Sequence, residues 1–379
     1  MFIEDYEESQ ARPSAFAKLP DAATDEIFAV NHAFTIDPHP QKVSLAAGVY
    51  RTNEGKPWPL PSVCKVEENL FAENDINRHE YLPIEGDKLF LKLARDLIFG
   101  FNGRTGSLAE KQAKRGIASV QTVSGTGANH IGALFLAQHL KPKHVWISSP
   151  SWPNHQTIWS LAGVPRRTYP YFNSHTRSFD FCATIDVLAS EAQKGDVIVL
   201  HACSHNPTGL DPTMEQWKAI ADLCERKGLF PFFDCAYQGF ASGSLEEDAW
   251  AVRLFFDRKP PLEMCVAQSF SKNFGLYGQR VGAFHLVTNV DSAVTDTVVQ
   301  NLCHIIRGEY SMSPRAGSTI VRRILGDDEL RKEWQRDVAE MSSRIKAMRR
   351  SLFNELRVLN TPGNWEHIII QVRNQQYPF

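Results

Sequence analysis

Short apolar runs alternate with amphipathic stretches through the middle of the chain. Residues 120–123, 145–148, 197–201, 229–234, 264–269 and 281–287 are rich in Val, Ile and Phe. Each run is too short for a buried helix, so the pattern predicts buried strands. Between them, residues 128–140 and 214–227 carry helical patterns. Strands that alternate with helices predict an α/β fold on a largely parallel sheet. From Pro314 the character turns helical. Over residues 331–356, Trp334, Val338, Met341, Ile345, Met348 and Leu352 recur at spacings of three and four, the mark of one helical face. This helix is read as the bridge into a second, smaller domain, and the Pro-rich segment 56–62 as the crossing from that domain's N-terminal part. The expected division is an arm and first part of the small domain over 1–60, a large domain over 61–325, and the rest of the small domain over 326–379.

No apolar run reaches the ~18 residues of a membrane helix. The composition, 43% hydrophobic and 22% charged in 379 residues, is that of a globular protein. A formal net charge of -2 offers no basic field to nucleic acid or an anionic membrane. The seven cysteines (Cys64, Cys182, Cys203, Cys224, Cys235, Cys265, Cys303) are odd in number and form no Cys-x-x-Cys pair. That argues against a disulfide framework or zinc ribbon and for thiols in a reducing compartment. Glu4, Asp5, Glu7 and Glu8 are wrong for a mitochondrial presequence, so a cytoplasmic protein is expected.

Chemistry concentrates at the ends of the predicted strands. Ser269-Phe270-Ser271-Lys272 closes one of them, and Gln279-Arg280-Val281-Gly282 opens the next. A lysine leaving a strand end in apolar surroundings is a nucleophile toward an aldehyde. Ser269 and Arg280 offer a hydroxyl and a planar guanidinium to a phosphate. Asp234 ends the run 229–234 and is followed by Tyr237; a carboxylate there can pair with a protonated pyridine nitrogen. In His201-Ala202-Cys203-Ser204-His205-Asn206-Pro207, the turn at Asn206 leaves its amide for a ligand at a strand's carboxyl end. A metal reading of His201, Cys203 and His205 lacks further ligands. Ser124-Gly125-Thr126-Gly127 follows a strand and opens a helix, a seat for phosphate. The dinucleotide-binding alternative needs an acid at the end of the next strand, where Ser148-Ser149-Pro150 stands instead. Trp152 and His155 follow that strand, and an indole there can cover an aromatic cofactor. Each motif taken alone also fits an ordinary turn or core position.

In this order, the motifs resemble class I aminotransferases, most closely the aspartate aminotransferases. The similarity runs from about Phe16 to about Ile368 and includes Val43-Ser44-Leu45-Ala46-Ala47-Gly48-Val49-Tyr50-Arg51, Glu80-Tyr81-Leu82-Pro83-Ile84 and Thr361-Pro362-Gly363-Asn364-Trp365. The resemblance implies the fold type I of pyridoxal-phosphate enzymes: a large domain on a mixed, mostly parallel seven-stranded sheet, with a smaller α+β domain. It implies pyridoxal 5′-phosphate (PLP) as cofactor and no metal. Lys272, Asp234 and Tyr237 become the catalytic set. Lys272 holds the cofactor and moves a proton, Asp234 pairs with the ring nitrogen backed by His155, and Tyr237 and Asn206 bond the ring oxygen. Trp152 packs on the ring and reaches the substrate carboxylate. Ser124, Gly125, Thr126, Ser269, Ser271 and Arg280 hold the phosphate, with Tyr81 reaching in from a neighbouring subunit. Gly48, Trp152, Asn206 and Arg307 bind substrate, and Arg307, from across a homodimer, grips a distal carboxylate.

The activity implied is ping-pong transfer between L-aspartate and 2-oxoglutarate. The rivals are an aromatic aminotransferase on the same scaffold and a protein that binds PLP with impaired catalysis. The last reading comes from the C-terminus. The family continues past the point where the resemblance stops, into a segment with a second arginine for the substrate α-carboxylate. Arg373 lies in a context that does not match, and poor turnover of aspartate is the expectation.

Overall fold

The computed structural model describes residues 14–20, 26–44, 48–73, 76–101, 116–289 and 292–370. The acidic N-terminus, Leu45 to Ala47 and the tail with Arg373 lie outside the described residues. The chain forms two compact units, Met1–Ala47 and Gly48–Phe379. Within the first, Glu26–Ile36 is a helix. The second contains the sheet and every residue discussed below.

Nine strands follow in chain order: β1 (Ile117–Val123), β2 (Val145–Ser149), β3 (Arg166–Pro170), β4 (Phe172–Asn173), β5 (Ser178–Phe179), β6 (Val197–His201), β7 (Phe230–Cys235), β8 (Met264–Ser269) and β9 (Val281–Val287). Seven make one sheet in the order β1-β9-β8-β7-β6-β2-β3, and β4 and β5 form a separate hairpin. From β3 to β8 neighbouring strands are parallel, whereas β9 runs antiparallel to both β8 and β1. The fold is therefore α/β on a mixed, mostly parallel sheet, as the alternating pattern predicts.

β6 and β9 are buried at every position, the reason they read as largely apolar runs, with His285 the one polar side chain inside β9. β3 has no such run. Arg166, Arg167 and Thr168 are exposed on this edge strand, and Tyr169 alone is fully buried, its hydroxyl donating to the Val199 carbonyl at 2.9 Å. Charged residues on a sheet edge discourage further strand pairing.

Two packing details place the site. Gly282 on β9 lies so close to the start of helix Ser124–His139 that an added Cβ would sit 2.4 Å from the Ser124 carbonyl carbon. That close approach brings the helix N-terminus against the β8–β9 loop. On the other side, the long helix Asp328–Val358 docks by polar contacts. Trp334 Nε1 donates to the Asn273 carbonyl at 2.8 Å, next to Lys272, and Asp337 accepts from the Ser62 amide and hydroxyl at 3.0 and 2.6 Å. The helix buries Trp334, Val338, Met341 and Ile345 of the predicted face. Met348 and Leu352 depart from that expectation and are 46% and 39% exposed, because the body this helix packs on covers only its first half. No described helix is long and apolar enough to cross a membrane.

Candidate active site

The parallel strands β2, β6, β7 and β8 deliver their carboxyl ends to one edge of the sheet, where open α/β sheets bind ligands. A cavity of about 190 Å³ opens there. It brings together Gly48, Ser124, Gly125, Thr126, Trp152, Asn206, Asp234, Tyr237, Ser269, Lys272 and Arg280. His155 and Ser271 stand one step behind the wall, each bonded to a residue that lines it. Tyr81 and Arg307 do not line it. Tyr81 is 81% exposed, and Arg307 lies exposed in the last turn of helix Ser292–Glu309, bonded to the Ser311 hydroxyl. Among the described residues, no group of three or more His, Cys, Asp or Glu side chains is arranged to hold a metal.

One end of the cavity is acidic. Asp234, on β7, has a side chain only 12% exposed, and fully buried His155 donates from Nε2 to Asp234 Oδ2 at 2.8 Å. A directed chain of hydrogen bonds continues behind it. The Asn206 backbone N–H donates to His201 Nδ1 at 2.9 Å, which leaves the neutral imidazole's proton on Nε2. His201 Nε2 then donates to Ser151 Oγ (3.3 Å), and Ser151 donates to His155 Nδ1 (3.0 Å). Every bond thus points its hydrogen toward the carboxylate. Burial pushes the Asp234 carboxyl up, but the His155 hydrogen bond, together with the electrostatic pull of the His155 and His201 N–H groups and of the Lys272 amine, outweighs it. The group is held below the ordinary carboxylate range, as an anion.

The other end favours anions. Ser124 opens its helix with φ at 64°, its N–H donating to the Arg280 carbonyl (3.1 Å) and its hydroxyl bonded to that of Ser271 (2.9 Å). A Cβ on Gly125 would come within 2.7 Å of Ser269 Cβ, so glycine lets the helix start close over that serine. The Ser271 N–H donates to Ser269 Oγ at 3.3 Å. Arg280, also at positive φ, donates to the Tyr277 carbonyl at 3.0 Å. Burial lowers its pKa from a very high ordinary value, so it stays a cation. Helix N–H groups, the Ser124 and Ser269 hydroxyls and a guanidinium thus line one anion seat, with the Ser271 hydroxyl backing Ser124. Lys272 lines the cavity between the two ends, Nζ 5.6 Å from the centre of the Tyr237 ring. Trp152 meets His155 edge-on at 5.1 Å.

The motifs did not single out Ser151, Val49 or Tyr277. Ser151 carried a signal, since it stands four residues before His155 in one turn–helix segment. Val49 carried one too, as the neighbour of Gly48 in its motif, whereas Tyr277 carried none, because the bond that ties it to that segment joins Tyr50 and Tyr277 at a separation of 227.

A class of enzyme follows from this fold and site, and comparison agrees. The chain belongs to the aminotransferase class I and II family, which it matches over residues 40–373. It is 57% identical to an L-tyrosine:2-oxoglutarate aminotransferase of Aspergillus ustus, over 94% of this chain and 68% of that protein. It is 45% identical to aspartate aminotransferase 1 of Medicago sativa, over 95% of this chain and 83% of that one. Among solved structures, an aromatic-amino-acid aminotransferase from Burkholderia pseudomallei, covalently bound to pyridoxal phosphate, superposes with a TM-score of 0.88 at 36% identity, covering 95% of this chain and 87% of that one. The protein is a PLP-dependent aminotransferase.

The cavity's chemistry fits the cofactor. Its anion seat matches a phosphate, its buried carboxylate matches a protonated pyridine nitrogen, and a primary amine lies between them. The side-chain oxygen of Asn206 is buried without a hydrogen-bond partner. An orphaned acceptor on a cavity wall calls for a donor from a ligand, and the phenolic O–H of the cofactor would supply one.

Proposed function

We propose that this protein transfers the amino group of an aromatic L-amino acid, tyrosine foremost, to 2-oxoglutarate, in a cavity completed by a second copy of the chain. The observation that carries the choice of donor is the 57% identity, over nearly the whole chain, to a relative named for that reaction. The second reading, aspartate as donor, draws on 45% identity over the same span and on the resemblance around Arg307. Arg307 does not decide between them. 2-Oxoglutarate and glutamate carry a distal carboxylate whichever donor is used, and a guanidinium fork that binds it serves both reactions.

When bound, PLP supplies an aldehyde to take the amino group and a ring that delocalises the electron pair left as the α-proton departs. The remaining work falls to side chains. Lys272 Nζ would hold the cofactor in place and, once displaced by the substrate amine, would be free as the base that takes the α-proton. Asp234, kept ionised, holds the ring nitrogen protonated, and the line from Asn206 through His155 fixes the carboxylate's orientation. Tyr237 and Asn206 bond the ring oxygen. Trp152 covers one ring face and keeps water out. Ser124, Gly125, Thr126, Ser269, Ser271 and Arg280 anchor the phosphate. Gly48 lines the substrate side. Arg307 and Tyr81, outside their own chain's cavity, act in the cavity of a partner copy. The described cysteines are all free thiols, which supports a cytoplasmic setting.

Two measurements test this reading. With 2-oxoglutarate as acceptor, kcat/KM for tyrosine is expected to exceed that for aspartate; a tenfold preference for aspartate installs the second reading. Arg280→Ala is expected to weaken PLP binding roughly ten- to a hundredfold, the size of one charge-assisted hydrogen bond. Absorbance titration of the cofactor-free protein checks it, and unchanged affinity removes Arg280 from the anion seat.

A further inference from the structure

Two wall segments of the cavity lie more than two hundred residues apart in the sequence: Gly48 and Val49, and the β8–β9 loop with Lys272, Tyr277 and Arg280. One hydrogen bond ties them. The Tyr50 N–H, directly after Val49, donates to Tyr277 Oη at 3.1 Å.

The rest of the Gly48 segment is held from the other side. Thr52 N–H donates to the Lys56 carbonyl (2.9 Å), folding residues 50–58 into a clip. The Tyr50 ring, 6% exposed, packs against Trp58 with centroids 5.4 Å apart. Arg344, from the long helix, lies over the Tyr50 ring at 5.3 Å and forks onto Asn53 Oδ1 at 3.0 and 2.7 Å. The clip is therefore fastened to the long helix by its outer part and to the cavity by Tyr277. The Tyr277 carbonyl meanwhile receives the Arg280 guanidinium, so one residue touches the anion seat through its backbone and the substrate-side wall through its hydroxyl.

We propose that Tyr277 is a positioning residue for substrate: its hydroxyl sets how closely the Gly48–Val49 wall closes over the bound amino acid. This rests on reading the cavity as the place where cofactor and amino acid meet. Removing the hydroxyl leaves the Tyr50 N–H without its acceptor but keeps the ring that fills the wall. An unsatisfied amide at a semi-enclosed site costs enough to loosen the segment. The anion seat keeps its contacts, because the Arg280 bond is to the Tyr277 backbone.

Tyr277→Phe tests this in the PLP-loaded protein. The expected result has three parts. Peptide-level hydrogen exchange over residues 48–58 in the unliganded protein speeds up about tenfold. KM for the amino-acid donor rises about tenfold while kcat falls less than threefold. PLP affinity by absorbance titration stays within about twofold, the change small enough to set aside the anion seat. Arg344→Ala frees the clip at its outer fastening and is expected to raise KM in the same direction, so the proposal does not hang on one variant. Faster exchange with unchanged KM overturns it, since the bond is then structural only. PLP affinity that falls in step with KM also overturns it, since Tyr277 then acts through the cofactor seat. A wild-type protein that transaminates neither tyrosine nor aspartate overturns the reading of the cavity itself, a separate failure from an unchanged Tyr277→Phe.

Discussion

Lys272→Ala is expected to lower kcat for amino-group transfer by about 10⁴-fold, with the protein still folded and still able to hold PLP at its phosphate end. General acid–base work by a positioned side chain is worth about 10²–10⁴-fold, and loss of the covalent hold adds to it. Among the described residues, Lys272 is the one lysine that lines the cavity. Its side chain lies over the Tyr237 ring and acts on Asp234 through its charge, so its removal breaks none of the hydrogen bonds described for the site. Stopped-flow measurement of the half-reaction checks the loss, and added methylamine is expected to restore part of the rate by carrying the proton in solution. A variant that retains a tenth of the wild-type rate contradicts the role.

Asp234→Asn is expected to cost about a hundred- to several-thousand-fold in kcat/KM. Removing one partner of a desolvated ion pair costs about 3–5 kcal/mol, and each ~1.4 kcal/mol is tenfold. The amide can still accept from His155, so geometry survives and the charge alone is lost. The variant also has a pH signature. Asp234 has its folded pKa depressed below the ordinary 3.8. Its contribution to stability is therefore present above that value and is lost as pH falls through the lower folded pKa. The stability gap between wild type and Asp234→Asn is expected to be widest near neutrality and to close on acidification below about pH 4. Urea unfolding across that range measures it, and a constant gap contradicts the depressed pKa.

Local chemistry makes much of the site legible in the amino-acid sequence. β6, β8 and β9 match their apolar runs because strands buried on both faces are mostly apolar, and the polar pair inside them, Gln268 and His285, is bonded to itself at 3.1 Å. The residues at strand ends, from Ser124 to Arg280, read as turn chemistry set beside those runs. What stays hidden depends on distance or on mixed patterning. β1 begins at Ile117, ahead of the run at 120–123, because polar Ser119 breaks the pattern before it, as Gln121 does within it. Both are satisfied internally: Ser119 bonds His285 at 2.8 Å, and Gln121 bonds the Asp87 amide and the Pro314 carbonyl at 3.1 and 2.8 Å. β3 hides behind two exposed arginines. Met348 and Leu352 keep the helical spacing but lack a surface to cover them, which periodicity does not report. The relay through Ser151 and His201 and the tie between Tyr50 and Tyr277 join positions 50 and 227 residues apart, and no local pattern announces such pairs.

The central claim is that the amine of one lysine is the attachment point of the cofactor. Borohydride reduction of the PLP-loaded protein, followed by proteolysis and mass spectrometry, tests it most directly. The account predicts one pyridoxyl adduct, on Lys272 Nζ, in the peptide that carries Ser269 to Gly275. A stoichiometric adduct on any other lysine, or none on Lys272, contradicts it.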